Sequence, residues 1–242
     1  MRIPGRENLF RMVFLRNDTG DKKVNTAVSK PLNHIREYLT SLYRRSRLRN
    51  RDFTIISNDC TGALMYRSLR MRKDSPTCDM TIGVYGFLPF CRHLKEYLSV
   101  PVDDPTEEDL KKFPGCKVPI GMLRGGNGLP DIGLVFTHYK TLEEAREKWY
   151  RRRERVHYDN LFVTVFWDDT AEESLLDEYE KLPYRKVIFT SLEDKARWKD
   201  TFRFSFMGQD INADVFTYKK GTGLFRFRYL DEFDFVKWLN GE

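Results

Sequence analysis

Four stretches of the chain combine residue types that can do chemistry. The first is Ser57-Asn58-Asp59-Cys60-Thr61-Gly62. It follows an apolar, strand-like run, Phe53-Thr54-Ile55-Ile56, and leads into a helix-like run from Ala63 to Leu69. A turn between a strand's carboxyl end and a helix is where α/β sheets collect ligands. Free N–H groups and the positive dipole end at such a helix start suit an anion. They also favour a thiolate, which makes Cys60 a candidate nucleophile. Ser57, Asn58 and Gly62 are candidate ligand contacts, the glycine because it admits a close approach. The same residues equally form an ordinary capped turn, with Cys60 packing as a small apolar group.

The second stretch is Phe136-Thr137-His138-Tyr139-Lys140. His138 is the candidate general base or phosphate contact, with Tyr139 beside it. If its strand and the Phe53–Ser57 strand are parallel neighbours, His138 and Cys60 share one rim of the sheet. The alternative is a histidine that only bonds backbone at the turn. The third stretch runs from Trp149 to Asn160 and contains Arg152, Arg153 and Arg155, candidate forks for phosphate or carboxylate. Arg152 falls on an apolar helical stripe and needs either a ligand anion or a protein carboxylate, for which Asp159 is at hand.

The fourth is Trp167-Asp168-Asp169, whose paired carboxylates could hold a divalent metal with a diphosphate. Their spacing is not Asp-x-Asp, and they fit a helix start with Thr170 as well. No metal ligand is therefore assigned, and the cofactor stays unknown. The glycines fit neither a P-loop nor a dinucleotide fingerprint. Cys60, Cys78, Cys91 and Cys116 lie too far apart for a zinc knuckle and read as reduced thiols.

The elements that must position these residues follow from pattern. The chain has 242 residues, of which 40% are apolar and 14% aromatic, values that exclude a disordered chain. No run approaches the ~20 apolar residues of a membrane span, and the N-terminus lacks a signal-peptide core. The expected address is the cytoplasm, with the inner face of a membrane as a further place. Net charge is +6, unevenly spread, with Arg44–Arg51 and Arg151–Arg155 as basic runs. Candidate partners are an anionic small molecule or glycan precursor, a membrane surface or a pathway protein; no nucleic-acid motif is present.

Residues 1–30 read as an extension and residues 31–242 as a single domain. From Pro31, Ile35, Tyr38/Leu39 and Leu42/Tyr43 recur at helical spacing. A helix is expected from near Pro89 to Leu98, and a short one after the Thr106/Asp109 box. Lys117–Leu123 and Ile132–His138 are expected strands joined by a glycine-rich connection of hairpin type. Thr141 and Glu144 cap a helix whose stripe is Leu142, Ala145, Trp149, Arg152 and Val156. Leu161–Phe166 and Lys186–Thr190 read as buried strands. Arg203–Phe206 and Leu224–Tyr229 alternate and suggest antiparallel edge strands. The alternation of strands and helices predicts an α/β fold, three-layer α/β/α, with a mainly parallel sheet.

Taken together, Phe53–Gly62, Val118-Pro119-Ile120-Gly121, Phe136–Thr141 and the Ala145–Asn160 run with its arginines resemble a bacterial family of unknown function. Its members are often labelled exopolysaccharide or capsular polysaccharide biosynthesis proteins. The likeness covers about residues 51–200. Where the family often has an aromatic residue after the cysteine, this chain has Thr61. The resemblance implies the three-layer fold and a place in surface-polysaccharide biosynthesis; it supplies no reaction and no catalytic residue. The expected function is a transferase acting on a glycan or phosphorylated sugar precursor. The alternative is a non-catalytic binding or scaffold protein of the same pathway.

Overall fold

The computed structural model describes residues 26–167, 171–190, 198–205 and 228–242. Asp168, Asp169, Phe206 and most of the Leu224–Tyr229 alternation lie outside them. The elements run α1 (Thr26–Arg47), β1 (Thr54–Ser57), α2 (Thr61–Ser68), α3 (Val84–Arg92), α4 (Leu94–Ser99), β2 (Val102–Asp103), α5 (Glu107–Leu110), β3 (Ile120–Leu123) and β4 (Ile132–Val135). They continue with α6 (Leu142–Arg153), β5 (Leu161–Phe166), α7 (Ser174–Glu180), β6 (Arg185–Thr190), β7 (Thr201–Arg203), a 3₁₀ turn (Tyr229–Glu232) and α8 (Phe235–Leu239).

Two sheets form. The first is parallel throughout, in the order β1-β5-β6-β7. Side chains that alternate along each strand divide between its two faces. Ile56, Val163, Val165 and Ile188 pack with Phe90 of α3, Trp149 of α6 and Leu176 of α7. Ile55, Phe162, Phe166 and Phe189 pack with Met65 of α2 and with Phe235 and Leu239 of α8. Helices thus cover both faces, which is why β5 reads as an unbroken apolar run and is buried at every position.

The second sheet is antiparallel, β2-β3-β4, with β3 and β4 paired as a hairpin from Leu123↔Ile132 to Ile120↔Val135. The mainly parallel sheet is as expected, but β3 and β4 are not strands of it, because their short connection allows only antiparallel pairing. A third apolar cluster, Phe113, Ile120, Met122 and Val135, covers one face of this sheet, while Leu123, Ile132 and Leu134 join the main core. Thr81 and Ile82 stitch the sheets together. Thr81 bridges Val135, and the Ile82 N–H donates to the Asn58 carbonyl at 2.9 Å.

Other expectations shift in detail. Helix α1 begins at Thr26, so Pro31 lies inside it; one proline near a helix start removes a single bond. Helix α3 begins at Val84, with Pro89 within it, and His93 separates it from α4. Strand β7 pairs parallel with β6, not antiparallel. The capping box of Thr106 with Asp109 forms as read, and the Thr141 side chain accepts from the Glu144 N–H.

Candidate functional site

The turn after β1 closes on itself. The Ser57 hydroxyl donates to Asp59 Oδ1 at 2.9 Å and accepts from the Thr164 hydroxyl of β5 at 2.8 Å. Asp59 also accepts from the Thr61 N–H at 3.0 Å and the Thr61 hydroxyl at 2.9 Å, so this buried carboxylate starts α2 from within. Burial pushes its pKa up. The Asn58 carboxamide extends the ladder to β5: it accepts from the Phe166 N–H at 2.6 Å and donates to the Phe166 carbonyl at 3.0 Å. Gly62 packs tightly against β1, since a Cβ there would meet Ser57 Cβ at 3.1 Å and Ile55 Cγ2 at 3.2 Å. Ser57, Asn58 and Gly62, read as candidate ligand contacts, are thus buried and engaged in joining β1, α2 and β5.

Cys60 faces out of this turn. Its sulfur lies 3.6 Å from the Thr137 hydroxyl, so the turn carrying His138 meets the end of β1. The meeting does not come from parallel neighbours. Strand β4 ends at Val135, and His138 sits in the turn beyond, exposed and in the layer of the second sheet. The helix start does not activate Cys60 either. Burial, with Asp59 beside it, pushes the thiol up to about 12. The expected thiolate is corrected to a neutral thiol, because the dipole of one short helix is outweighed by lost solvation and a neighbouring carboxylate.

Beside Cys60 stands a group that the sequence did not single out. Asp79 has φ 68°, in the left-handed region that is rare for residues other than glycine. Lys73 Nζ approaches its two oxygens at 2.6 and 2.8 Å, and Arg152 Nη2 donates to Oδ2 at 3.0 Å. Burial raises the Asp79 pKa, but the two cations outweigh it and hold it below the ordinary carboxylate range. Arg152 Nη1 donates to the Cys78 carbonyl at 2.8 Å and to the Tyr139 hydroxyl at 2.7 Å. Burial pushes the Tyr139 hydroxyl up to about 12. The Thr137 hydroxyl donates to the Asp79 carbonyl at 3.3 Å. Arg152 does turn inward, as its place on the stripe requires, but its carboxylate is Asp79; Asp159 is exposed.

The other two arginines also serve the protein. Arg153 Nη1 donates to the Leu98 carbonyl at 3.0 Å, with its guanidinium 4.7 Å from the Tyr150 ring centroid. Arg155 donates to the Lys73 carbonyl at 3.0 Å and pairs with Asp74 at 2.9 Å. Together Arg152 and Arg155 hold the loop between α2 and α3, and that loop presents Lys73 and Asp79 next to Cys60.

The sequence matches, over residues 32–240, a family described as "Domain of unknown function (DUF1919)". The chain belongs to this family. An uncharacterized protein of Haemophilus influenzae is 30% identical over 220 residues, which span 90% of this chain and 97% of that one. Neither description names an activity.

In this DUF1919 chain the geometry has a definite chemical character. Among the described residues no cluster of three or more His, Cys, Asp or Glu could hold a metal, and no helix is long and apolar enough to cross a membrane. Neutral hydroxyls and a neutral thiol (Thr137, Tyr139, Cys60) surround one carboxylate and two cations. Such a set orients hydroxyl groups by hydrogen bonds, and the partly exposed Lys73 adds a point charge suited to phosphate. His138 is exposed at its edge. Lys73 and Asp79 gave no signal in the sequence, and Thr137 only as part of the His138 stretch: Lys73 and Asp79 lie in a loop without periodicity, and aspartate is among the non-glycine residues that enter the left-handed region more readily than most.

Proposed function

We propose that this chain is a cytoplasmic protein of surface-polysaccharide biosynthesis, a transferase that holds a phosphorylated sugar precursor at the rim formed by Cys60, Thr137 and His138. The observation that carries this reading is Asp79, kept in a strained backbone between Lys73 and Arg152 where the loops of two sheets meet. Strain of order 1–3 kcal/mol persists only where surroundings enforce it, and it gathers at functional sites. The motif resemblance supplies the pathway. In this reading Lys73 attracts the phosphate, Thr137 and Tyr139 orient hydroxyls, and His138 takes the proton from the accepting hydroxyl. Cys60 stays neutral and shapes the rim.

A specific observation favours the second reading, a non-catalytic binding or scaffold protein. Arg152, Arg153 and Arg155 are all engaged by carbonyls and carboxylates of the protein itself. None of these three forks is left for a leaving phosphate.

The test is a gene deletion with analysis of the surface glycan, followed by complementation. Loss or alteration of the glycan, uncorrected by a stably produced His138→Ala protein, supports the transferase. Full correction by His138→Ala together with failure of Asp79→Asn supports the scaffold. An unaltered glycan in the deletion strain overturns both.

A further inference from the structure

Helix α1 is docked with its polar side inward. Ile35, Tyr38, Leu39, Leu42 and Tyr43 recur at the three-to-four spacing that normally marks a core-facing stripe. Here they are 57%, 48%, 58%, 43% and 62% exposed. The opposite side holds the helix to the protein through buried Ser41 and Leu48, through Arg44 on Asp231 at 2.8 Å and through Arg47 on Asp234 at 2.6 Å. The Arg47–Asp234 pair is exposed and contributes little, while the Arg44–Asp231 pair is largely buried. A stripe of this size left outside, on a helix held by polar contacts, calls for an apolar occupant.

Charge identifies that occupant. From Arg36 to Arg51 the chain carries six arginines and one acidic residue, Glu37; Arg44, Arg47 and Arg49 are engaged by Asp231, Asp234 and Glu242. Arg45 is exposed beside the stripe and Arg51 in the segment between α1 and β1; Arg67 of α2 is exposed, and Arg70 just after α2 lies 4.9 Å from the Tyr38 ring centroid. A second copy docked through the same face would bring two such arginine sets together. An anionic lipid surface complements them. The stripe also has the composition of an interfacial helix: leucine and isoleucine in the centre, tyrosines at the sides, and arginines whose long stems reach outward.

We propose that α1 lies in the surface of an anionic bilayer, with Ile35, Leu39 and Leu42 in the acyl boundary and Arg45 and Arg51 at the head groups. This stands independently of the reading of the Cys60 rim. It places the chain against the membrane without crossing it.

The experiment is sedimentation of the full chain with vesicles of phosphatidylcholine alone and of phosphatidylcholine mixed with phosphatidylglycerol. Binding to the anionic vesicles is expected to be at least about tenfold stronger and to weaken with salt. Leu39→Glu with Leu42→Glu should reduce it to background while thermal melting stays unchanged, since both side chains are exposed. If that pair fails to fold, Ile35→Ser with Tyr43→Ser reads the same face. Arg45→Glu with Arg51→Glu should abolish the preference for anionic lipid. Absence of vesicle binding at low salt overturns the proposal, as does binding that the Leu39/Leu42 pair leaves intact. A dimer in sedimentation velocity that this pair converts to monomer, without vesicle binding, assigns the face to a second copy instead.

Discussion

The two arginine-rich segments are alike in composition and opposite in use. At the end of α6, Arg152, Arg153 and Arg155 turn into the protein and tie down loops, donating to the carbonyls of Cys78, Leu98 and Lys73. Along Arg44–Arg51, Arg44, Arg47 and Arg49 reach sideways to Asp231, Asp234 and Glu242, while Arg45 and Arg51 remain exposed. What separates the two is the face on which each run falls. The first continues the buried stripe of Ala145 and Trp149. The second lies on a helix whose apolar stripe looks outward. A run of like charge therefore says nothing about its role until the direction of the helix face is known.

Substitutions sharpen the contrast. Removing the buried Arg152 should have the largest effect. Arg152→Ala leaves Asp79 with one cation and the Cys78 carbonyl without its donor, and is expected to destabilise by about 3–5 kcal/mol in denaturant unfolding. A loss below about 1 kcal/mol would mean that the inward run is not structural. Asp231→Ala comes next, at about 2–3 kcal/mol, because Asp231 accepts from both Arg44 and the buried Arg228.

A pH titration separates the two carboxylates from the exposed charges. Asp79 and Asp231 both have folded-state pKa values below the ordinary one, each against an opposing push from burial. The stability they contribute is fully present above their unfolded pKa near 3.9 and fades as pH falls from there through the depressed folded values. Asp79→Asn should flatten that acid limb; an unaltered limb would put the titration elsewhere. Arg45→Ala and Arg51→Ala should shift stability by less than about 0.5 kcal/mol, and a larger loss would show that the outward run also holds the fold.

Cysteine labelling tests the site itself. With its thiol pushed up to about 12, Cys60 should alkylate at pH 8 roughly a thousandfold more slowly in the folded chain than in the unfolded one. Labelling at the unfolded rate would restore the thiolate that the helix start first suggested.

Much of the scaffold was legible in the sequence. The continuous apolar run of β5, the Thr106/Asp109 and Thr141/Glu144 caps and the Ala145/Trp149/Arg152 stripe each carry a local signature that survives in the fold. Membership of β3 and β4 in a second sheet was not legible, since a strand of alternating or apolar pattern looks the same in either sheet. The outward stripe of α1 was hidden for a related reason: periodicity gives the width of a face and not its direction. The Asp79 cluster was hidden because its contacts join loops far apart in the chain, such as Asp79 with Arg152, where no residue pattern repeats.

The insertion of the second sheet between β1 and β5 has a consequence for how the chain finds its structure. Ser57 and Thr164, joined across neighbouring strands, are 107 positions apart. Closing a loop of that length early carries an entropic cost without local reward, whereas the β3–β4 hairpin is formed from near neighbours. The hairpin and α6 should therefore gain protection first, and β1 should add last to the edge of a sheet already built from β5 and β6. Pulse-labelled hydrogen exchange during refolding reads this order directly, and protection of Ile55 and Ile56 before Met122 and Leu134 would reverse it.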